Sequence, residues 1–500
     1  MLSILFFWSL PVLAQVYEAW VATYNGPGND GDNARALAVD DSGNVYVTGH
    51  SWSGGTITDY ATIKYAPNGD ILWARSYNGS GNTYDEAVAL AVDYSGNVYV
   101  TGYSWDSGTY EDYATIKYSS AGETLWVRRY NGPGNSYDRP NALGVDDSGN
   151  VYVTGWSGIF PNYDYATIKY ASNGDTLWVT HYNGPGDEWD EATALAVDDS
   201  GNVYVTGFSH GGSTAWDYAT IKYSPSGDTL CVRRYTGPGN GLDVANELAV
   251  DDSGYVYVTG NSGTIKYSAS GDSLWFGAYG GNDLDIDDSG NVYVTGYTYG
   301  GDASVDDYAT IKYSPAGDTL WVRRYNGPGN NTDQANALAV DGSGNVYVTG
   351  VSYGGGSTLS DYATIKYSPS GDTLWVRRYN GPGNGYDQAN ALAVDDSGNV
   401  YVTGYSAQSS TYPYNYDYAT IKYSVCPAKA GDANGDGSVN LTDIVFEVNY
   451  IFKGAPTPSP LCSGDVDGSG TSGDLEDIFY LINYVFHGGP SPIKIGVCCL

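Results

Sequence analysis

The sequence predicts an all-β propeller of eight four-stranded blades followed by a small α-helical domain, and three observations carry that prediction. A ten-residue phrase, Asp40-Asp41-Ser42-Gly43-Asn44-Val45-Tyr46-Val47-Thr48-Gly49, returns seven more times with its closing glycine at 102, 155, 207, 260, 296, 350 and 404. That spacing is the mark of an array of identical supersecondary units, none of which buries its faces alone. Each period resolves into four short runs rich in Val, Tyr, Thr and Ile separated by turn residues, as in a small antiparallel sheet. After Pro427 the repeats stop and two loop-and-helix halves begin.

The unit reads most plainly in its seventh copy. A first strand at 335–341 turns through Gly342-Ser343-Gly344 into a second at 345–350, and a loop of variable length leads to a third at 361–367. Ser370-Gly371-Asp372 then turns the chain into a fourth at 374–379, and Asn380-Gly381-Pro382-Gly383-Asn384 carries it onward. Such sheets packed face to face around an axis leave only short edges. Before the first repeat the chain holds a fourth strand alone, at 19–24, and the last repeat stops after its third at 423–424. The two ends therefore complete one blade together. One step in the array is only 36 residues long, between Gly260 and Gly296. It still holds all strands of a blade, because Asn261-Ser262-Gly263 joins the second strand to Thr264-Ile265-Lys266-Tyr267, so only loops are shortened there.

Lys+Arg 22 against Asp+Glu 57 leaves a formal charge of −35 on 500 residues, which excludes nucleic acid and anionic lipid as partners. Residues 1–14 form an apolar run ending in Val12 and Ala14 before Gln15, which reads as a cleaved export signal although no Lys or Arg precedes it. No later run is long and apolar enough to cross a membrane, so a secreted or cell-surface location is expected. Cys231 stands where other copies carry Trp and reads as a buried core thiol. Cys426, Cys462, Cys498 and Cys499 lie in the last 75 residues, where their pairing stays open.

The phrase that closes each second strand resembles the bacterial beta-propeller repeat (SBBP-type) over residues 15–424. The resemblance implies a propeller in an exported or surface protein and brings no catalytic residues with it. Short turns fall on one face of such a disc and the variable loops on the other, where a rigid scaffold displays function. Trp52, Trp105, Trp156, Trp216, Tyr299, Tyr353 and Tyr412 are the ligand-face candidates, with Phe160 and Tyr414 beside them, suited to stacking on sugar rings or anchoring a protein. An Asp ahead of each inner strand (Asp32, Asp85, Asp138, Asp190, Asp243, Asp283, Asp333, Asp387) is expected to cap its turn. A Lys in each third strand, such as Lys64, is expected to lay its stem on a neighbouring blade with its head near an Asp. No catalytic residue is singled out. An alternative, a polysaccharide-active hydrolase or lyase, needs a carboxylate pair that breaks the repeat, from Glu111, Asp187, Glu188, Glu191, Asp302 or Asp306.

A linker at 425–430 leads to the helical domain at 431–490 and a cysteine-containing tail at 491–500. Asp432, Asn434, Asp436, Ser438, Asn440 and Asp443 occupy positions one, three, five, seven, nine and twelve of a loop with Gly437 at six, the calcium-loop spacing of an EF-hand. The second half opens with Asp465, Asp467, Ser469 and Gly470 but is one residue longer; Asp474 stands for Asn440, and Asp477 or Glu476 closes the shell. Ile444, Val448, Ile451 and Phe452, and again Ile478, Ile482, Val485 and Phe486, mark one apolar helix face each. The duplicated motif resembles a type I dockerin. That resemblance implies two Ca²⁺ sites, a cohesin-like partner on a scaffold or cell surface, and contact through Leu441, Thr442, Leu475 and Glu476. These are not the Ser-Thr pairs of cellulosomal members. The expected whole is an exported non-catalytic interaction protein whose propeller loop face takes a glycan or protein ligand.

Overall fold

The computed structural model describes residues 16–54, 57–213, 215–239, 241–299, 306–355, 359–412, 414–425, 428–429, 431, 433, 439–453, 466, 475–488, 490–492 and 498–499. Eight four-stranded antiparallel sheets form the propeller, with inner strands Asn33–Val39, Asp85–Val92, Tyr137–Val145, Asp190–Val197, Ala245–Val250, Asp283–Ile286, Asp333–Val340 and Asp387–Val394, numbered here as blades one to eight. In the eighth, Val16–Tyr24 adds outside Tyr416–Val425, Val400–Ala407 and Asp387–Val394, so the two ends share a blade as expected. In blade seven Val346 pairs with Tyr367 and Val348 with Ile365, the period-two register that sends alternate side chains to the two neighbouring blades.

The repeated letters are inter-blade contacts. Val346, Val348, Ile365 and Ala363 pack against Tyr293 and Tyr308 of the preceding blade. Tyr60, fully buried, donates to Ala114 O of the next blade at 3.1 Å, and Tyr418 closes the ring on Ala61 O at 3.2 Å. The indole of Trp73 donates to Ser120 O at 3.1 Å beneath Gly122, whose φ of +81° and closeness to the ring leave no room for a side chain. Lys64 lies 4.9 Å over the Tyr46 ring and donates to Ser120 O at 3.3 Å, and Lys366 reaches Asp341 at 3.8 Å. In the repeated phrase Asp40 accepts Ser42 N–H at 3.0 Å, Asn44 N–H at 2.9 Å and the Tyr46 hydroxyl at 2.8 Å, so its carboxylate belongs to the hairpin.

Three expectations are corrected. In the short step not only loops but strands contract, to Val256–Gly260, Gly263–Tyr267, Ser273–Gly277 and Asp283–Ile286. Cys231 pairs with Lys222 as Trp73 does with Lys64, but it is only partly buried, as Trp178 and Trp275 are at the same position of the two neighbouring blades. Asp283 is not a turn cap: it pairs with Thr295, where Asp85 and Asp387 pair with Ser104 and Ser406, and its carboxylate accepts Leu338 N–H of the next blade.

The C-terminal unit has two helices, α1 (Leu441–Lys453) and α2 (Leu475–His487). Their facing stripes enclose Ile444, Val466, Ile478 and Leu481, with Val439, Val448, Ile451, Ile482 and Val485 around them. Ala428–Lys429 and Cys498–Cys499 form a short parallel pair, and Tyr480 donates to Ser491 O at 3.0 Å. Residues 1–14, Cys426 and Cys462 lie outside the described residues.

Candidate functional site

The variable-loop face is built on seven of the eight Asp predicted to cap turns. Asp32 accepts Gly26 N–H at 2.6 Å and Trp52 N–H at 2.9 Å, tying the inter-blade connection to the start of the variable loop. Asp333 does the same with Gly327 and Tyr353. Burial raises the carboxyl of Asp138 to about 6 and that of Asp387 to about 6, against the pull of their donors. Each Asp is thus a structural anchor that presents the following loop.

Below this level the inner strands are laced around the channel. Asn141, Asn282, Asn336 and Asn390 each donate to a carbonyl of the next inner strand at 2.7–2.9 Å, Thr193 does so with its hydroxyl, and Asn246 donates to Gly281 O just ahead of the next inner strand at 3.0 Å. Arg35 and Val88 stand at that position in blades one and two and break the lacing. Beside the break sits a charged group. His50 lies 3.4 Å from Glu86. Burial alone would raise Glu86, but His50, Tyr103 and Arg35 outweigh it and hold its carboxyl at about 2. Arg139 takes both oxygens of the buried Glu111 and lies 4.4 Å from the Tyr103 ring and 6.0 Å from that of Trp156. Glu191, raised by burial, accepts from Asn141 at 3.0 Å. Opposite the break, burial and then the Asp283 carboxylate raise Glu247, and burial and Asp285 raise Asp283, while Asp283 accepts Leu338 N–H at 2.6 Å and Asp285 accepts Val340 N–H at 2.9 Å.

The aromatic side chains are unevenly spread over this face. Trp105, Tyr110 and Tyr137 form one group, with Tyr110 stacked 5.2 Å from Tyr137 and edge-on to Trp105. Trp156, Tyr163 and Trp189 form a second, joined at 6.0–6.1 Å to Phe208 and Trp216. Arg139, held by Glu111, the cross-strand neighbour of Trp105, lies over Trp156 of the second group. Tyr412 and Tyr414 join Tyr386 and Tyr416 in a separate cluster on blade eight. Of the predicted ligand-face residues, Trp52, Trp105, Trp216 and Tyr353 are half-buried and Tyr412 exposed, while Trp156 is buried at 9% exposure under its neighbours, where exposure was expected. The Tyr299 side chain lies outside the described residues. The tie of Arg139 to Glu111 and the pairing of His50 with Glu86 were not foreseen. Their signal is departure from the repeat at the residue after the anchoring Asp, where Glu86, Arg139 and Glu191 stand.

Four of the five described carboxylates weighed as an acid–base pair on these loops have side-chain partners: Glu111 holds Arg139, Asp187 accepts Asn162 and Asn183, Glu188 lies 3.5 Å from His210, and Glu191 accepts Asn141. Asp306 pairs across strands with Tyr299, and Asp302 lies outside the described residues.

In the C-terminal unit, Asn440, Asp443 and Asp477 are the calcium-loop candidates within the described residues; Asp432, Asn434, Asp436, Ser438, Asp465, Asp467, Ser469 and Asp474 are not among them. Asn440 caps α1, its side-chain oxygen accepting Thr442 N–H at 2.8 Å, and Asp443 reaches back to Asn440 N–H at 2.8 Å, a reciprocal cap. Asp477 accepts Val466 N–H at 2.9 Å at the equivalent place of α2. Asp443 and Asp477 are fully buried in the first turns of α1 and α2, and Glu447 is fully buried one turn further along α1. Carboxylates so buried need compensating charge or donors, and their hard oxygen atoms suit a divalent cation of the calcium type. Of the two residues able to close the second loop, Asp477 is buried and Glu476 exposed. Leu441, Thr442 and Leu475 are also exposed.

Fold and site define a β-propeller protein with a helical calcium-loop domain at its C-terminus. Residues 22–55, 73–108, 125–161, 320–356 and 374–408 match the beta-propeller repeat family, and residues 430–486 match the dockerin type I domain. Dockerin type I domains bind calcium and pair with cohesins. No curated protein matches the chain. Among solved structures it is similar to Sqt1 from Chaetomium thermophilum, at 10% identity and a TM-score of 0.52 over 82% of this chain and 99% of that one. Sqt1 bound to the N-terminus of ribosomal protein L10 aligns with a TM-score of 0.51 at 10% identity, over 81% and 99% of the two chains. At that identity the likeness concerns the fold alone. The polysaccharide lyase Uly1, at 11% identity and a TM-score of 0.42 over 77% and 89%, carries no argument about activity.

Proposed function

We propose that this chain is an exported, non-catalytic interaction protein. Its propeller loop face takes a glycan or protein ligand, and its dockerin domain tethers it to a cohesin-like module in a calcium-dependent way, in the setting of polysaccharide degradation. The observation that carries this reading is the joining of a dockerin domain to a loop face that gathers aromatic rings, while the symmetry-breaking carboxylates described there are held in partnerships. Bound calcium supplies the charge that lets Asp443 and Asp477 stay buried and ionised, with Asp432, Asp436, Asp465 and Asp467 as further ligands. The exposed Leu441, Thr442, Leu475 and Glu476 then stand on helices held in place, available to the partner. Residues 1–14 are the proposed export signal.

The rival is a polysaccharide-active enzyme with the propeller as its catalytic domain. Incubating the full chain with a polysaccharide panel and measuring reducing ends and unsaturated products separates the two. No product together with retention of the protein on a polysaccharide supports the proposal; turnover that Glu111→Gln or Glu188→Gln abolishes overturns it.

A further inference from the structure

We propose that blades two to four carry a binding site for an extended, uncharged glycan, running from Trp105 and Tyr110 past Arg139 to Trp189 and Trp216; this rests on the glycan-binding reading above and narrows it to one sector and one chemical class. Three independent observations converge there.

The first is backbone strain. Tyr110 has φ +61°, whereas every other described non-glycine residue at positive φ is Asn or Asp. A bulky side chain is a genuine outlier in that region, and such conformations cost about 1–3 kcal/mol unless the surroundings impose them. Here the strain holds a ring that is 47% exposed against Tyr137, facing Trp105. The loop thus pays with backbone energy for an aromatic platform at the surface. Asn would relieve that strain and present no ring.

The second is continuity. From this platform the path runs through Glu111, the cross-strand neighbour of Trp105, to Arg139, which lies over Tyr103 and Trp156, and from there through Trp189 to Trp216, across three blades. A chain of sugar rings has this shape: apolar ring faces for the aromatics and hydroxyl edges for planar polar groups between them. The Arg139–Glu111 and Asn141–Glu191 pairs are such groups, each held in place by its partner.

The third is charge. Among the rings of this sector Arg139 is held by Glu111 and His210 faces Glu188, and at its border with blade one His50 and Arg35 both act on Glu86, so each of these cations already stands beside a carboxylate. The whole chain at −35 repels polyanions further. An uncharged glycan meets neither penalty.

The test is affinity electrophoresis of the full chain in calcium through gels containing xylan, mannan or a soluble β-glucan, with polygalacturonate as the polyanion. Retardation is expected with at least one neutral polysaccharide and not with polygalacturonate. Trp105→Ala and Tyr110→Asn should each weaken it about tenfold, and Tyr110→Asn should melt no lower than the parent, a combination that a merely structural role for the ring would not produce. Tyr297→Ala, an equally exposed ring on blade six, should stay within about twofold. Neutral binding that survives both sector variants, or falls equally with Tyr297→Ala, overturns this assignment while leaving glycan binding standing, as does preference for polygalacturonate. Absence of binding to every polysaccharide overturns the glycan reading itself.

Discussion

Cys231→Trp should stabilise the propeller. In blades one, two and six the indole at this position, Trp73, Trp126 and Trp321, is buried and donates from Nε1 to a carbonyl of the next blade at 3.1–3.2 Å, and the half-buried Trp178 and Trp275 make the same bond. The slot is conserved around the thiol: a side chain built on Gly271 would strike the sulfur as one on Gly122 would strike Trp73, and Tyr204, Arg233 and Tyr267 stand around it. An indole removes roughly 200 Å² from water and a thiol about half that, so the gain is about 100 Å², or ~2.5 kcal/mol at ~25 cal/mol per Å². A hydrogen bond to Ala269 O adds about 1 kcal/mol, and ordering the larger side chain costs about the same. With an unfolding entropy of ~2.1 cal/mol/K per residue over roughly 400 residues, ~2.5 kcal/mol corresponds to a melting temperature about 3 °C higher. Scanning calorimetry of the full chain in calcium reads this directly, and Trp321→Cys should shift it down by a similar amount. An unchanged or lower melting temperature for Cys231→Trp would refute the idea that the repeat's Trp slot is intact between blades four and five.

Three further outcomes are expected. Chelation of calcium should abolish the helical circular dichroism of α1 and α2 and leave the sheet signal in place, and Asp443→Ala should do the same for α1, since it removes both a ligand and the reciprocal cap; full helicity in excess EDTA would count against the calcium sites. Deleting residues 16–26 should expose Tyr416–Val425 as an open edge and produce aggregates in size-exclusion chromatography, because the lost strand carries Trp20 and its bond to Pro67 O at 3.0 Å. Glu247 is raised above its usual 4.5 by burial and by Asp283, so the folded state holds a proton that the unfolded chain has released, and its ionisation destabilises the fold as pH rises. Glu247→Gln should therefore raise stability by on the order of 2 kcal/mol at about pH 8 and change it little at about pH 4, as urea midpoints would show; a pH-independent effect would mean that Glu247 is not protonated in the fold.

The scaffold was legible because each repeated letter performs the same contact from blade to blade. The Tyr46 position, the Trp73 position and the Lys64 position are readable as inter-blade contacts from one blade, and closure follows from counting strands at the two ends. Asp283 was misread for the same reason. It stands 13 residues ahead of its closing glycine, Gly296, where the other seven stand 17 ahead of theirs, and so falls deeper in the sheet, opposite Thr295; the repeat suggested a match that the spacing denies. Trp156 was taken as exposed because it occupies a loop-facing position, whereas Tyr163 and Trp189 cover it.

Repetition and ligand spacing, both local in the chain, determined the eight-bladed disc, its shared blade and the dockerin domain. The tie between Glu111 and Arg139, the break in the Asn lacing at Arg35 and Val88, and the gathering of rings over blades two to four came only with the folded chain. Those features join residues of different blades at positions where the repeat is broken, so no period announces them. Their partners are set by how neighbouring sheets face one another around the axis.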